Sequence, residues 1–104
     1  MGIYANALNP GAIQTNLQRH VGGKVRTPPE QQKSPQQGAA TTVLLAGSPL
    51  LDGIGGRYFA DCNEATPVDH RPEGFTEPAV AVAPYALDPD NASRLWKLSV
   101  AAVS

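Results

Sequence analysis

Apolar positions fall in short runs along this chain, and nearly every run ends on a turn-forming residue. The first, Ile3-Tyr4-Ala5-Asn6-Ala7-Leu8, predicts a buried strand over residues 3–8. Asn6 interrupts it, so its amide should turn toward a polar edge or a neighbouring loop. Pro10 and Gly11 end the strand, because proline removes a backbone donor and glycine opens unusual backbone angles. Residues 16–33 are polar and broken by Gly22-Gly23 and Pro28-Pro29, which predicts a mobile loop with one helical turn near Asn16–Arg19.

Ser34 then marks a helix start. It is a favoured N-cap, Pro35 suits the first helical position, and Gln37 completes a capping box. The helix should run to about Ala46, with Ala40, Val43, Leu44 and Gly47 as its packing stripe. Gly38 and the alanines would allow close approach to a sheet, and Ser48-Pro49 stops the helix. Gly53, Gly55 and Gly56 mark a turn before a second strand, Arg57-Tyr58-Phe59-Ala60, closed by Asp61. The order strand–helix–strand predicts a right-handed crossover with two parallel strands. Four prolines, Pro67, Pro72, Pro78 and Pro84, argue against regular structure over 63–87, although Val80-Ala81-Val82-Ala83 can pack along an edge. Asp88 as N-cap, Pro89 and Asp90 then open a last helix. Its apolar face is Ala92, Leu95, Trp96, Val100 and Val103, with Arg94 and Lys97 toward water.

The 104 residues are enough for one small domain with a modest core, and neither a repeat nor a second boundary is visible. Ten glycines and ten prolines imply a large irregular share. A net charge of -1 offers no basic field for nucleic acid or an anionic membrane. No run reaches the ~18 apolar residues of a membrane span, and no signal peptide is visible. Cys62 is alone, which excludes an internal disulfide and fits a reducing, cytoplasmic setting.

Several residues suggest chemistry and have a plainer reading. Asp61, Cys62 and Glu64 lie close in sequence, but no histidine sits at a metal or nucleophile spacing, and strand-end polar residues usually cap turns. His20 and His70 fall in polar segments and read as solvated. Asp88 and Asp90 read as helix-start residues rather than an acid–base pair. Arg19, Lys24 and Arg26 form a small basic cluster that reads as a solvated loop.

The strongest functional signal is Asn9-Pro10-Gly11-Ala12-Ile13-Gln14-Thr15, a strand end running into a turn. Strand carboxyl ends are where ligands bind in open α/β sheets. It is followed by Gln37-Gly38-Ala39-Ala40-Thr41, Gly53-Ile54-Gly55-Gly56-Arg57-Tyr58-Phe59, Asp61-Cys62-Asn63-Glu64, Ala86-Leu87-Asp88-Pro89 and Arg94-Leu95-Trp96. No one motif is specific, but this succession resembles the C-terminal part of retinol-dehydrogenase-like short-chain dehydrogenases/reductases over nearly the whole chain.

The resemblance implies an α/β fold: residues 1–104 as the C-terminal portion of a Rossmann-type doubly wound parallel sheet. It implies NAD or NADP as cofactor and hydride transfer with an alcohol or carbonyl substrate. Pro10 and Gly11 would border the nicotinamide, the Ile13 backbone would bond its carboxamide, and Thr15 would add a hydroxyl. Residues 16–33 would cover the substrate. C-terminal strands and helices in that family often make subunit contacts, which implies a homo-oligomer or association with a full-length relative.

The departures matter as much. No glycine-rich pyrophosphate turn precedes a helix; Gly53-x-Gly55-Gly56 has no helix after it. The family's proton donor is a tyrosine four residues before a lysine. Here Tyr4, Tyr58 and Tyr85 are followed at that spacing by Leu8, Cys62 and Pro89. No catalytic residue is assigned, and the chain alone is expected to be inactive, with a missing front explained by an internal or misplaced start. The rival expectation is a non-enzymatic truncated paralogue acting as a binding or assembly module; a gene remnant comes third.

Overall fold

Two short strands and the helix between them organise the molecule. The computed structural model describes residues 2–70 and 80–104. Strand β1 is Ala7–Asn9, helix α1 is Pro35–Gly47 and strand β2 is Tyr58–Ala60. The two strands are parallel neighbours, with Ala7 opposite Tyr58, Leu8 opposite Phe59 and Asn9 opposite Ala60. The parallel strand–helix–strand order that the sequence predicts is therefore present.

The first strand is shorter than its apolar run. Ile3 is 88% exposed, and regular pairing begins only at Ala7, where the backbone of β2 becomes available. Before that point single bonds hold the segment: Gly56 N–H donates to the Ala5 carbonyl at 2.8 Å. Asn6 does turn to a neighbouring loop. Its amide nitrogen donates to the Ile54 carbonyl at 2.9 Å, and its amide oxygen accepts from Arg57 N–H at 3.0 Å.

Helix α1 starts as its residues dictate. The Ser34 hydroxyl accepts from Gln37 N–H, and the Gln37 side chain accepts from Ser34 N–H. Its buried face is not the expected one. Gly38 and Thr41 are buried, whereas Val43 is 67% exposed and Gly47 is exposed. Backbone approach decides this face. Gly38 lies against the Ile13 side chain and the Pro10 carbonyl, and Thr41 reaches Cys62.

Beyond β2 the chain reverses through Asp61 and Cys62, with φ of +55° and +59°. It returns as strand β3, Asn63–Glu64, antiparallel to β2. The order β1-β2-β3 leaves β1 at the sheet edge among the described residues. A second pair lies inside the region expected to be irregular: β4, Thr66–Pro67, runs parallel to β5, Ala81–Val82. The Val80–Ala83 edge is used as the sequence suggests. Pro72 and Pro78 lie outside the described residues.

Phe59, Ala60, Ala65 and Val82, with Thr41, form the buried core, and Phe59 is 2% exposed. Helix α2, Pro89–Val103, is capped by Asp88, which accepts from Asp90 and Asn91 N–H. None of its residues is buried, and Trp96 on its apolar face is 72% exposed. The radius of gyration is 16.0 Å, against about 13 Å for a compact domain of this length. No helix among the described residues is long and apolar enough to cross a membrane.

Candidate functional site

Because β1 and β2 are parallel, their carboxyl ends lie on the same side of the sheet. The turn after β1 and the turn after β2 therefore meet there. Pro10 ends β1, and the Asn9 side chain accepts from Gly11 N–H at 2.8 Å, which folds the chain back at Gly11. Gly11 has a φ of +90°, a region L side chains rarely adopt. Ile13 then bridges Lys33 in parallel register, with Lys33 N–H donating to the Ala12 carbonyl at 2.8 Å. Gly38 leaves room for the Ile13 side chain.

The four residues expected to face a cofactor are brought into one turn. Pro10 is exposed, and Gly11 and Ile13 are half-buried. Among the described residues the Ile13 N–H has no hydrogen-bond partner, while its carbonyl accepts from the Gln18 amide at 3.3 Å. The turn thus offers an Ile13 backbone donor without a partner among the described residues, beside a Gly11 whose Cβ position is taken by the Lys33 side chain. Thr15 has local work as well. Its hydroxyl accepts from Leu17 N–H at 3.2 Å and lies 3.3 Å from Gln18 Oε1, to which it donates. It thereby caps a single-turn 3-10 helix, Asn16–His20.

The rest of the 16–33 loop is tied to this turn by Gln14, whose amide donates to the Gly23 carbonyl and accepts from Val25 N–H. A second 3-10 turn covers Pro29–Gln31. Arg19, Lys24 and His20 are exposed, and Arg19 donates to the His20 ring at 2.8 Å.

Two residues at this end escaped the sequence reading. Lys33 Nζ pairs with Asp61 Oδ1 at 2.7 Å, joining the loop to the end of β2. Thr41 Oγ1 accepts from Cys62 N–H at 3.0 Å and holds the β2–β3 turn. Neither contact follows from local spacing, since 28 residues separate the first pair and 21 the second. Cys62 is exposed, and among the described residues no cluster of three or more His, Cys, Asp or Glu could hold a metal ion.

No family profile matches the chain, and no solved structure does either. Curated sequences do. A "probable oxidoreductase" of Streptomyces lividans is 50% identical over 109 residues, covering 92% of this chain and 35% of the relative. The "short-chain dehydrogenase/reductase prx1" of Penicillium roqueforti is 44% identical, over 95% of this chain and 30% of the relative. Human "retinol dehydrogenase 14" is 33% identical, over 93% of this chain and 26% of the relative. The chain thus spans about a third or less of the length of these relatives, yet nearly all of it aligns with each. With that agreement the chain belongs to the short-chain dehydrogenase/reductase family and corresponds to a C-terminal part of its longer members.

Proposed function

We propose that these residues form the nicotinamide end and the substrate-covering loop of an NAD(P)-dependent oxidoreductase, within a Rossmann-type parallel sheet. The observation that carries this reading is the Pro10–Ile13 turn, set at the shared carboxyl end of two parallel strands, with an Ile13 N–H that has no partner among the described residues. When bound, the nicotinamide accepts or donates the hydride exchanged with an alcohol or carbonyl. Pro10 would supply the exposed wall, beside Gly11, whose Cβ position is taken by the Lys33 side chain. Ile13 N–H donates to the carboxamide. Thr15 contributes its hydroxyl by exchanging its Gln18 contact for the ligand. The loop 16–33, fastened by Gln14, would cover the substrate and limit water at the reacting carbon.

The 104 residues alone should bind the nicotinamide end weakly and turn nothing over. Without a tyrosine placed four residues before a lysine, no side chain is set to exchange the hydroxyl proton. General acid–base catalysis contributes about 10²–10⁴-fold. The test is a purified chain assayed with NADH and NADPH against alcohols and carbonyls, together with a resonance titration using nicotinamide mononucleotide. Shifts confined to Gly11, Ile13 and Thr15 without turnover are expected, and Thr15→Ala should weaken that binding by roughly 0.5–1.5 kcal/mol. Robust turnover by the chain refutes the inactivity. An unmoved turn refutes the site.

A second reading has its own support. The edge of β1 and the apolar face of α2 are uncovered among the described residues. A non-enzymatic module would use them to join a second copy or a full-length relative. The upstream reading frame separates the two. An in-frame glycine-rich turn and Tyr-x-x-x-Lys favour the enzyme, and a clean stop codon favours the module.

A further inference from the structure

We propose that Lys33 and Asp61 form a clamp that positions the Pro10–Ile13 turn toward the nicotinamide, an inference that rests on the cofactor reading above. Lys33 engages the turn with both backbone and side chain. Its N–H donates to the Ala12 carbonyl at 2.8 Å, and its side chain lies over Gly11, where a Cβ would come within 2.9 Å of Lys33 Cδ. Its Nζ then crosses to Asp61 Oδ1 at 2.7 Å. One side chain therefore ties the turn after β1 to the turn after β2.

The far end of the clamp is itself held in place. Asp61 and Cys62 both have left-handed backbone angles, which cost non-glycine residues energy. An Asn-Gly pair would make such a two-residue turn with less strain. Aspartate is among the few non-glycine residues that visit left-handed angles, so the hairpin tolerates it there, and its carboxylate is also aimed at Lys33. Thr41 Oγ1 accepts from Cys62 N–H, and the Asn63 amide donates to the Asp61 carbonyl at 2.9 Å, so the strained turn has support on both sides. The Lys33 side chain is 25% exposed and that of Asp61 66%. Pairs this open to water add little to global stability, so the contact acts on the geometry of the turn. Lys33 is a positioning residue, not a catalytic one.

The experiment uses the full chain, isotopically labelled, as wild type and as Lys33→Met, Asp61→Asn and Lys33→Arg. Amide resonances of Gly11, Ala12 and Ile13 report the turn, and exchange of the Lys33 amide reports its bond to Ala12. Lys33→Met and Asp61→Asn should move the same resonances and speed that exchange about two- to fivefold. Lys33→Arg should restore the wild-type pattern, and helical circular dichroism should not change. Affinity for nicotinamide mononucleotide should fall in both neutral variants and recover with arginine. Unchanged turn resonances in both variants, or a change in only one, overturns the clamp. A wild-type turn that ignores nicotinamide mononucleotide while Lys33→Met still disturbs it overturns the cofactor reading and leaves a structural tie. Should Lys33→Met not fold, Asp61→Asn decides, because it neutralises an exposed group without changing its shape.

Discussion

Replacing Gly38 with alanine tests how helix α1 sets the position of Ile13. In an isolated helix the change helps, because alanine is favoured over glycine by about 1 kcal/mol. Here the new Cβ would overlap Ile13 Cδ1 and come within 2.8 Å of Ile13 Cγ1, with the Pro10 carbonyl 3.7 Å away. Overpacking of this kind costs about 1–3 kcal/mol. The net expectation for Gly38→Ala is a loss of roughly 0–2 kcal/mol, the difference between those two ranges. Ile13→Val removes the overlapping Cδ1, and by itself costs about 0.5–1.5 kcal/mol. Combined, the two changes should not add. The shortened side chain removes the worst overlap and leaves only Cγ1 to shift from 2.8 Å, so the double variant should recover about 1 kcal/mol relative to the sum of the singles. Urea unfolding followed by helical circular dichroism measures all four corners of the cycle. Additivity within ~0.5 kcal/mol, or a clear stabilisation by Gly38→Ala alone, would refute the claim that Gly38 is small in order to seat Ile13.

Three further outcomes are expected. Ser34→Ala removes one half of the capping box at α1 and should lower stability by about 1 kcal/mol in the same urea assay, while Ser34→Asp should keep most of it. Cys62→Gly relieves a left-handed residue at φ +59° and should leave stability unchanged or raise it by up to ~1 kcal/mol; a clear loss would show that the Cys62 Sγ contact with Thr41 Oγ1, at 3.7 Å, matters more than the backbone strain. The purified chain should scatter light as a species larger than one 104-residue protomer, because Leu95 and Trp96 on α2 and the edge of β1 are uncovered. Leu95→Glu should shift that species toward the monomer, whereas a monodisperse wild-type monomer would remove the α2 face as an association surface.

The local grammar of the chain was enough to find most elements. Ser34, Pro35 and Gln37 specify the start of α1, and Asp88 and Pro89 the start of α2, because capping depends on neighbours three residues apart or fewer. Pro10 and Gly11 likewise end β1 through their own backbone chemistry, and the order of motifs was sufficient to reveal the family. Tertiary structure decided what local rules do not contain. The strand begins at Ala7 rather than Ile3, because a strand exists only where a partner's backbone meets it. Helix α1 turns Gly38 and Thr41 inward and leaves Val43 in water, because close approach to Ile13 and a bond to Cys62 outweigh side-chain hydrophobicity at that contact. Helix α2 has its apolar stripe as the sequence indicates, but burial needs an opposing surface, and none of its residues is buried. Lys33 and Asp61 were unreadable for the same reason: two solvated charges 28 residues apart become a pair only once parallel strands bring both turns to one end of the sheet.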